Sequence, residues 1–184
     1  MMDINFIKCH GNGNDFVLID ESSESLFINK SQELSFVRAV CDRKGIIGAD
    51  GVLFLGNSSF CDFSMRIFNA DGSEAEMCGN GIRCIARLAS QKTNKDKLFI
   101  ETMSKSYKVF KESDLAKNIP AFSVCFNDVI FGIDRLPVLI EDSFLVNSRL
   151  KTFSDEFLFT AIGMPNPHLV TDISNLNINI DDLL

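Results

Sequence analysis

Chemistry concentrates in residues 69–84, Asn-Ala-Asp-Gly-Ser-Glu-Ala-Glu-Met-Cys-Gly-Asn-Gly-Ile-Arg-Cys, where Cys78 stands just before two glycines and the opening turn of a helix. Free backbone N–H groups and the positive end of a helix dipole favour a thiolate at such a place, which makes the cysteine a usable base or nucleophile. Gly79 and Gly81 let a small ligand approach the backbone, and the same N–H groups could hold its carboxylate. Two other readings compete. Cys78 could be a small buried hydrophobe beside a helix start. Alternatively, Gly79-x-Gly81-x-x-Cys84, with Glu101 ending a strand downstream, nearly matches a dinucleotide-binding fingerprint. That match fails on detail: the third glycine is a cysteine, and Glu74 and Glu76 stand where a clean apolar strand should precede the loop.

Two further clusters carry polar residues between glycines or prolines. His10-Gly-Asn-Gly-Asn-Asp-Phe16 lies between two short apolar runs, where a turn explains the composition. Gly163-Met-Pro-Asn-Pro-His168 follows a strand and holds Asn166 between prolines that restrict its backbone. A rigid loop with a structural histidine accounts for it equally well.

These clusters need elements to position them. Strand-length apolar runs recur at Phe16–Ile19, Val52–Leu55, Phe63–Phe68, Leu98–Ile100, Tyr107–Phe110, Ala121–Phe126, Pro137–Ile140 and Phe157–Ile162. In the third, Phe63, Met65 and Ile67 share one face and Ser64 and Arg66 the other, the period of a half-buried strand. Most links between runs are too short for crossover helices, which favours antiparallel pairing. Two segments read as helices. Residues 31–43 place Leu34, Val37, Val40 and Cys41 at helical spacing, with Asn29 or Ser31 as cap and Gly45 as stop. Residues 80–90 put Ile82, Ile85, Ala86 and Ala89 on a face that Cys84 and Leu88 widen, leaving Arg83 and Arg87 as a narrow polar stripe, so this helix should be buried on most sides. Charge gathers before a proline at Lys111–Pro120, the expected domain boundary. The closing Asn-Ile-Asp-Asp-Leu-Leu reads as a helix start that is not continued.

Composition bounds the possibilities. With 184 residues, 46% hydrophobic and 23% charged, the chain can bury an ordinary globular core. Lys plus Arg total 18 against 25 for Asp plus Glu, and the net charge of -7 argues against nucleic acid as a partner. Its apolar runs are far shorter than the roughly 20 residues that cross a bilayer. The amino terminus lacks the basic and apolar regions of a secretory signal, so the expected setting is a reducing cytoplasm, with most of the six cysteines as buried free thiols. No C-x-x-C pair occurs, and His10 and His168 are not spaced as zinc ligands, so no metal site is expected.

Taken together, HGNGNDF near the start, RIFNADGSEAEMCGNGIRC in the middle and GMPNPHLVT late resemble the diaminopimelate epimerases, in that family's order and over nearly all the chain. The resemblance implies an α/β (α+β) fold of two similar domains, each a mixed, largely antiparallel sheet curled around a central helix. Residues 1–118 would be the first domain and residues 119–184 the beginning of the second. It implies interconversion of LL- and meso-2,6-diaminoheptanedioate, for lysine and peptidoglycan synthesis, with two cysteines and no pyridoxal phosphate or other cofactor. By position, Cys78 matches one of those cysteines, Gly79 and Asn80 match helix-end contacts to substrate, and Asn14, Asn69 and Asn166 match substrate-binding side chains. His168 matches a histidine that supports the cysteine pair, and a homodimer is suggested by family likeness. There are two departures: Gly51 stands where some relatives place a substrate-contacting glutamine, and the family's second cysteine on its own glycine-rich helix start has no counterpart. Cys125, in an apolar strand-like run, is no substitute. Inversion needs an acid opposite the base. The chain alone is therefore expected to be a poor epimerase, and a catalytically incomplete binding or interaction module is the alternative.

Overall fold

The stretch Gly11-Asn12-Gly13-Asn14 is a two-residue hairpin turn. Asn12 (φ 54°) and Gly13 (φ 85°) both take left-handed conformations, which asparagine and glycine tolerate best, and the hairpin joins β1 (Ile7–Gly11) to β2 (Asn14–Asp20). The structure, a computed structural model, describes residues 4–27, 29–117, 119–126, 129–150, 157–164 and 166–173. They fall into two units, Met1–Cys125 and Phe126–Leu184. The expected helix start at Asn179–Leu184 lies outside the described residues.

In the first unit, α1 (Lys30–Cys41) begins where the Asn29 side chain accepts a hydrogen bond from the Gln32 N–H at 3.0 Å. It leads to β3 (Gly51–Gly56), β4 (Phe63–Asn69) and the short β5 (Glu74–Ala75). Then come α2 (Gly79–Thr93), β6 (Lys97–Glu101), β7 (Ser106–Lys111) and β8 (Phe122–Cys125). The strands form one sheet in the order β1-β2-β3-β4-β6-β7-β8, with β5 paired to β4. Pairing is antiparallel except for β2 with β3 and β4 with β6. Those two parallel pairs are the ones whose connections contain α1 and α2, since a parallel neighbour needs a crossover.

The sheet curls around α2, which packs against β1, β2, β3, β4, β6, β7 and β8. Its buried residues Gly81, Ile82, Cys84, Ile85, Ala86, Ala89 and Ser90 leave only a narrow polar stripe. β2 and β3 are buried on both faces. Val17, Ile19, Val52 and Phe54 pack with Val37 and Cys41 of α1, while alternation turns Phe16, Leu18, Leu53 and Leu55 to the α2 side. Each such side chain contributes about 1.5–3 kcal/mol by leaving water.

The expected boundary at residue 118 lies in the sequence between two strands that pair with each other. Residues 112–121 connect β7 to its antiparallel partner β8, closed by Glu112 N–H to the Ala121 carbonyl and Leu115 N–H to the Ile119 carbonyl. The charged stretch before Pro120 is thus a turn within the first unit, and the units divide after Cys125. Among its described residues, the second unit carries a 3-10 turn at Ile133–Arg135 and the antiparallel pair β9 (Phe159–Gly163) and β10 (Pro167–Thr171) around Ile133, Leu136, Leu145, Phe159 and Ala161. The Pro137–Ile140 run, expected as a strand, is not one; Val138 and Ile140 pack on that core from irregular backbone after the 3-10 turn.

Two structural features make testable claims. Glu33, buried in α1, is ion-paired with Arg66 at 2.6 Å and Lys30 at 3.1 Å, and Arg66 also holds Glu21 at 2.9 Å. Burial disfavours the Glu33 charge, but the hydrogen bond and field of Arg66, with Lys30 adding, outweigh it and hold the carboxyl below its ordinary range. A depressed carboxyl stabilises the fold above the ordinary value of about 4 and loses that contribution as pH falls through the folded value. Glu33→Gln should therefore cost about 1–2 kcal/mol in urea denaturation at pH 7. That gap should narrow on acidification below pH ~4, whereas a gap independent of pH would contradict the pairing. At Gly51, a Cβ would lie 2.5 Å from the Phe68 carbonyl oxygen. Gly51→Ala should consequently lower stability by about 1–3 kcal/mol, and a neutral effect would show that β3 and β4 are not so close.

Candidate proton-transfer site

Cys78 is the residue that starts α2. With extended backbone (φ -141°, ψ 117°), its sulfur turns back over the helix and accepts the Gly81 N–H at 3.4 Å. The first intrahelical bond runs from the Ile82 N–H to the Cys78 carbonyl. The N–H groups of Gly79 and Asn80 lie ahead of it, without a partner among the described residues. This half-buried stretch thus offers two donors and a sulfur in one place.

The β1–β2 hairpin delivers Asn14 to the same corner. Its Oδ1 faces the Cys78 Sγ at 3.8 Å and accepts from Asn80 Nδ2 at 3.4 Å, while Asn80 Oδ1 accepts from Arg83 at 2.6 Å. Four of the residues singled out from the sequence, Asn14, Cys78, Gly79 and Asn80, are therefore together. Asn69 ends β4 at the same end of the sheet, since Gly51 pairs with both Phe16 and Asn69. Its amide is committed to the turn into β5, with Nδ2 donating to Ser73 Oγ at 2.9 Å. In the second unit, Asn166 lies in the β9–β10 turn, where its carbonyl accepts the Met164 N–H at 2.9 Å. His168 is exposed on β10 and lines a cavity of about 530 Å³ with Leu136, Pro137 and Leu150.

Several expectations change. Gly79 and Gly81 lie inside the first turn of α2, not in a loop before it, and the strand preceding them is only Glu74–Ala75, so the dinucleotide geometry is not built. Position 51, where a side chain was expected to be missing from the site, has no room for one. Of the six free cysteines, only Cys41 and Cys84 are buried; Cys125 is exposed on β8 and Cys78 is half-buried. A cavity of about 750 Å³ in the first unit lies over Arg83, Cys84 and Arg87, beside β1, Leu115 and residues 119–122, and Cys78 does not line it.

Sequence reasoning missed the charges behind Asn14. Asp50 Oδ2 accepts from Asn14 Nδ2 at 2.7 Å and from the Asp15 N–H at 3.0 Å, while Arg43 bridges Asp50 Oδ1 and Asp15 Oδ1 at 2.6 Å each. Lys8 pairs with the other Asp15 oxygen at 2.6 Å. The hydrogen bond from Asn14, then the Asp15 N–H and Arg43, hold the Asp50 carboxyl below its ordinary range. Arg43 and Lys8 do the same for Asp15. No local spacing signals this cluster, because Asn14 and Asp50 are separated by α1.

Residues 6–116 match the family model described as diaminopimelate epimerase. The chain is 39% identical over 177 residues to the diaminopimelate epimerase of Clostridium acetobutylicum, covering 96% of this chain and 53% of the relative. It is 41% identical over 173 residues to that of Carboxydothermus hydrogenoformans, covering 93% and 61%. The chain thus spans little more than half the length of these curated relatives. Among solved structures, the fold is similar to a Bacillus anthracis phenazine biosynthesis protein of the PhzF family (TM-score 0.60, 15% identity, 93% of this chain and 56% of that one). It is also similar to a predicted epimerase from Pseudomonas aeruginosa (TM-score 0.55, 16% identity, 71% and 45%). With the family model covering most of the first unit and close relatives aligned along nearly its whole length, the chain belongs to the diaminopimelate epimerase family.

Proposed function

We propose that this chain carries one of the two proton-transfer sites of a diaminopimelate epimerase, with Cys78 removing or returning the α-proton in the interconversion of LL- and meso-2,6-diaminoheptanedioate. One observation carries the reading: the sulfur that caps α2 sits beside two unclaimed helix N–H groups and the Asn14 and Asn80 amides. Family membership and the names of the relatives support the substrate.

The α-proton beside a carboxylate is very weakly acidic, so the site must supply donors where negative charge develops. On this reading the Gly79 and Asn80 N–H groups receive the α-carboxylate, while the Cys78 thiolate takes the proton and becomes a thiol. The carbon–hydrogen electron pair stays on the α-carbon, spread into that carboxylate, until a second acid protonates the opposite face. Asn69 and Asn166 as substrate contacts, and His168 as support for the thiols, belong to the same proposal through the resemblance. So do independence from pyridoxal phosphate, a homodimer, a cytoplasmic setting, and a role in lysine and peptidoglycan synthesis. A single thiol returns its proton to the face it came from. Inversion on this reading therefore needs the second acid as well as Cys78, and a non-catalytic binding module is the rival.

Titration with an aziridine analogue of the diamino diacid, followed by peptide mass spectrometry, separates the two. Cys78 should be alkylated ahead of the other five cysteines, although Cys125 is more exposed. Labelling that follows exposure, or spreads evenly over all six, would contradict the assignment.

A further inference from the structure

We propose that Asp50 is a positioning residue for this site: it fixes the amide of Asn14 so that the carbonyl oxygen, not the NH₂, faces Cys78. The inference rests on the reading of Cys78 as the proton-transfer group, but its geometry is independent of any substrate.

The two ends of the Asn14 amide have different neighbours. Nδ2 lies 2.7 Å from Asp50 Oδ2, and Oδ1 lies 3.4 Å from Asn80 Nδ2 and 3.8 Å from Cys78 Sγ. A carboxylate can only accept. Turning the amide over would put carbonyl oxygen against carboxylate oxygen and NH₂ against NH₂, losing both hydrogen bonds at once. Asp50 itself cannot turn away. Its Oδ2 also takes the Asp15 N–H at 3.0 Å, its Oδ1 is held by Arg43 at 2.6 Å, and its own N–H bonds to the Asp15 carbonyl at 3.0 Å and Oδ1 at 3.2 Å. Arg43 in turn is anchored on Asp15, which Lys8 grips from the other side. The consequence reaches the sulfur. With an acceptor facing it, Cys78 has a partner for its S–H proton, while Gly81 N–H supplies the donor from the helix. Asp50 thereby balances the two hydrogen-bonding demands on a sulfur that must hold a proton in one half of the reaction and release it in the other.

The test uses the full chain with its asparagine side chains labelled with nitrogen-15. In Asp50→Ala no acceptor remains at position 50 for the Asn14 NH₂, which frees the amide to turn toward the sulfur. The side-chain NH₂ resonances of Asn14 should shift, and alkylation of Cys78 by iodoacetamide at pH 7 should rise about tenfold, since a donor now stabilises the thiolate. Asp50→Asn is the control. It removes the charge but keeps a carbonyl oxygen that can accept from the Asn14 NH₂ and the Asp15 N–H, and both readouts should stay within about twofold of the parent. An unchanged backbone spectrum shows that both variants fold. Parent-like Asn14 resonances and alkylation in Asp50→Ala would overturn the proposal. So would an Asp50→Asn variant that reproduces the change, because the effect would then be one of charge. Neither readout needs the diamino diacid, so failure here is distinguishable from failure of aziridine labelling.

Discussion

A helix that begins inside a curled sheet creates a specific problem: its first amides lack intrahelical partners, and leaving them unpaired away from water is costly. α2 meets it only in part. The Cys78 sulfur takes the Gly81 N–H, and the Gly79 and Asn80 N–H groups have no partner among the described residues. The rest of the first unit positions that unfinished end. The crossovers through α1 and α2 make the parallel pairs that let the sheet wrap, and the tight Asn12-Gly13 turn brings Asn14 to the sulfur.

Charge around this corner is arranged for geometry more than for stability. Asp15, Asp50, Arg43 and Lys8 form a chain of partly exposed ion pairs. Exposed pairs contribute at most about 1 kcal/mol each. Of the four, Asp50 bonds the Asn14 NH₂ directly, and on our proposal it sets the side on which Asn14 presents its oxygen. The pair of buried Glu33 with half-buried Arg66 is different in kind. It ties α1 to β4, with the Arg66 guanidinium lying over the rings of Phe54 and Phe68, and so secures the outer face of the sheet.

Much of this was legible in the residues. The Asn29 cap and the Leu34, Val37, Val40 and Cys41 spacing marked α1, and the broad apolar face of residues 80–90 marked α2 as buried on most sides. Alternation in Phe63–Ile67 gave the correct buried face of β4. What could not be read was non-local. β1 is short and mostly exposed, and its strand character comes from pairing with β2. The Lys111–Pro120 stretch has the composition of a linker and becomes a hairpin turn only because β8 finds β7. Pro137–Ile140 has strand composition without a ladder partner among the described residues. Asp50 gained its role from Asn14, beyond α1 in the chain, and Gly51 revealed its steric constraint only once Phe68 was opposite.

The most direct measurement is the entry of solvent deuterium at the α-carbon of LL-2,6-diaminoheptanedioate, followed by proton NMR with the chain in deuterated buffer. A proton-transfer sulfur at position 78 should wash deuterium into the α-position, and Cys78→Ala should abolish the exchange. Exchange that persists in Cys78→Ala, or none with the parent chain, would contradict the assignment of that sulfur to the α-proton.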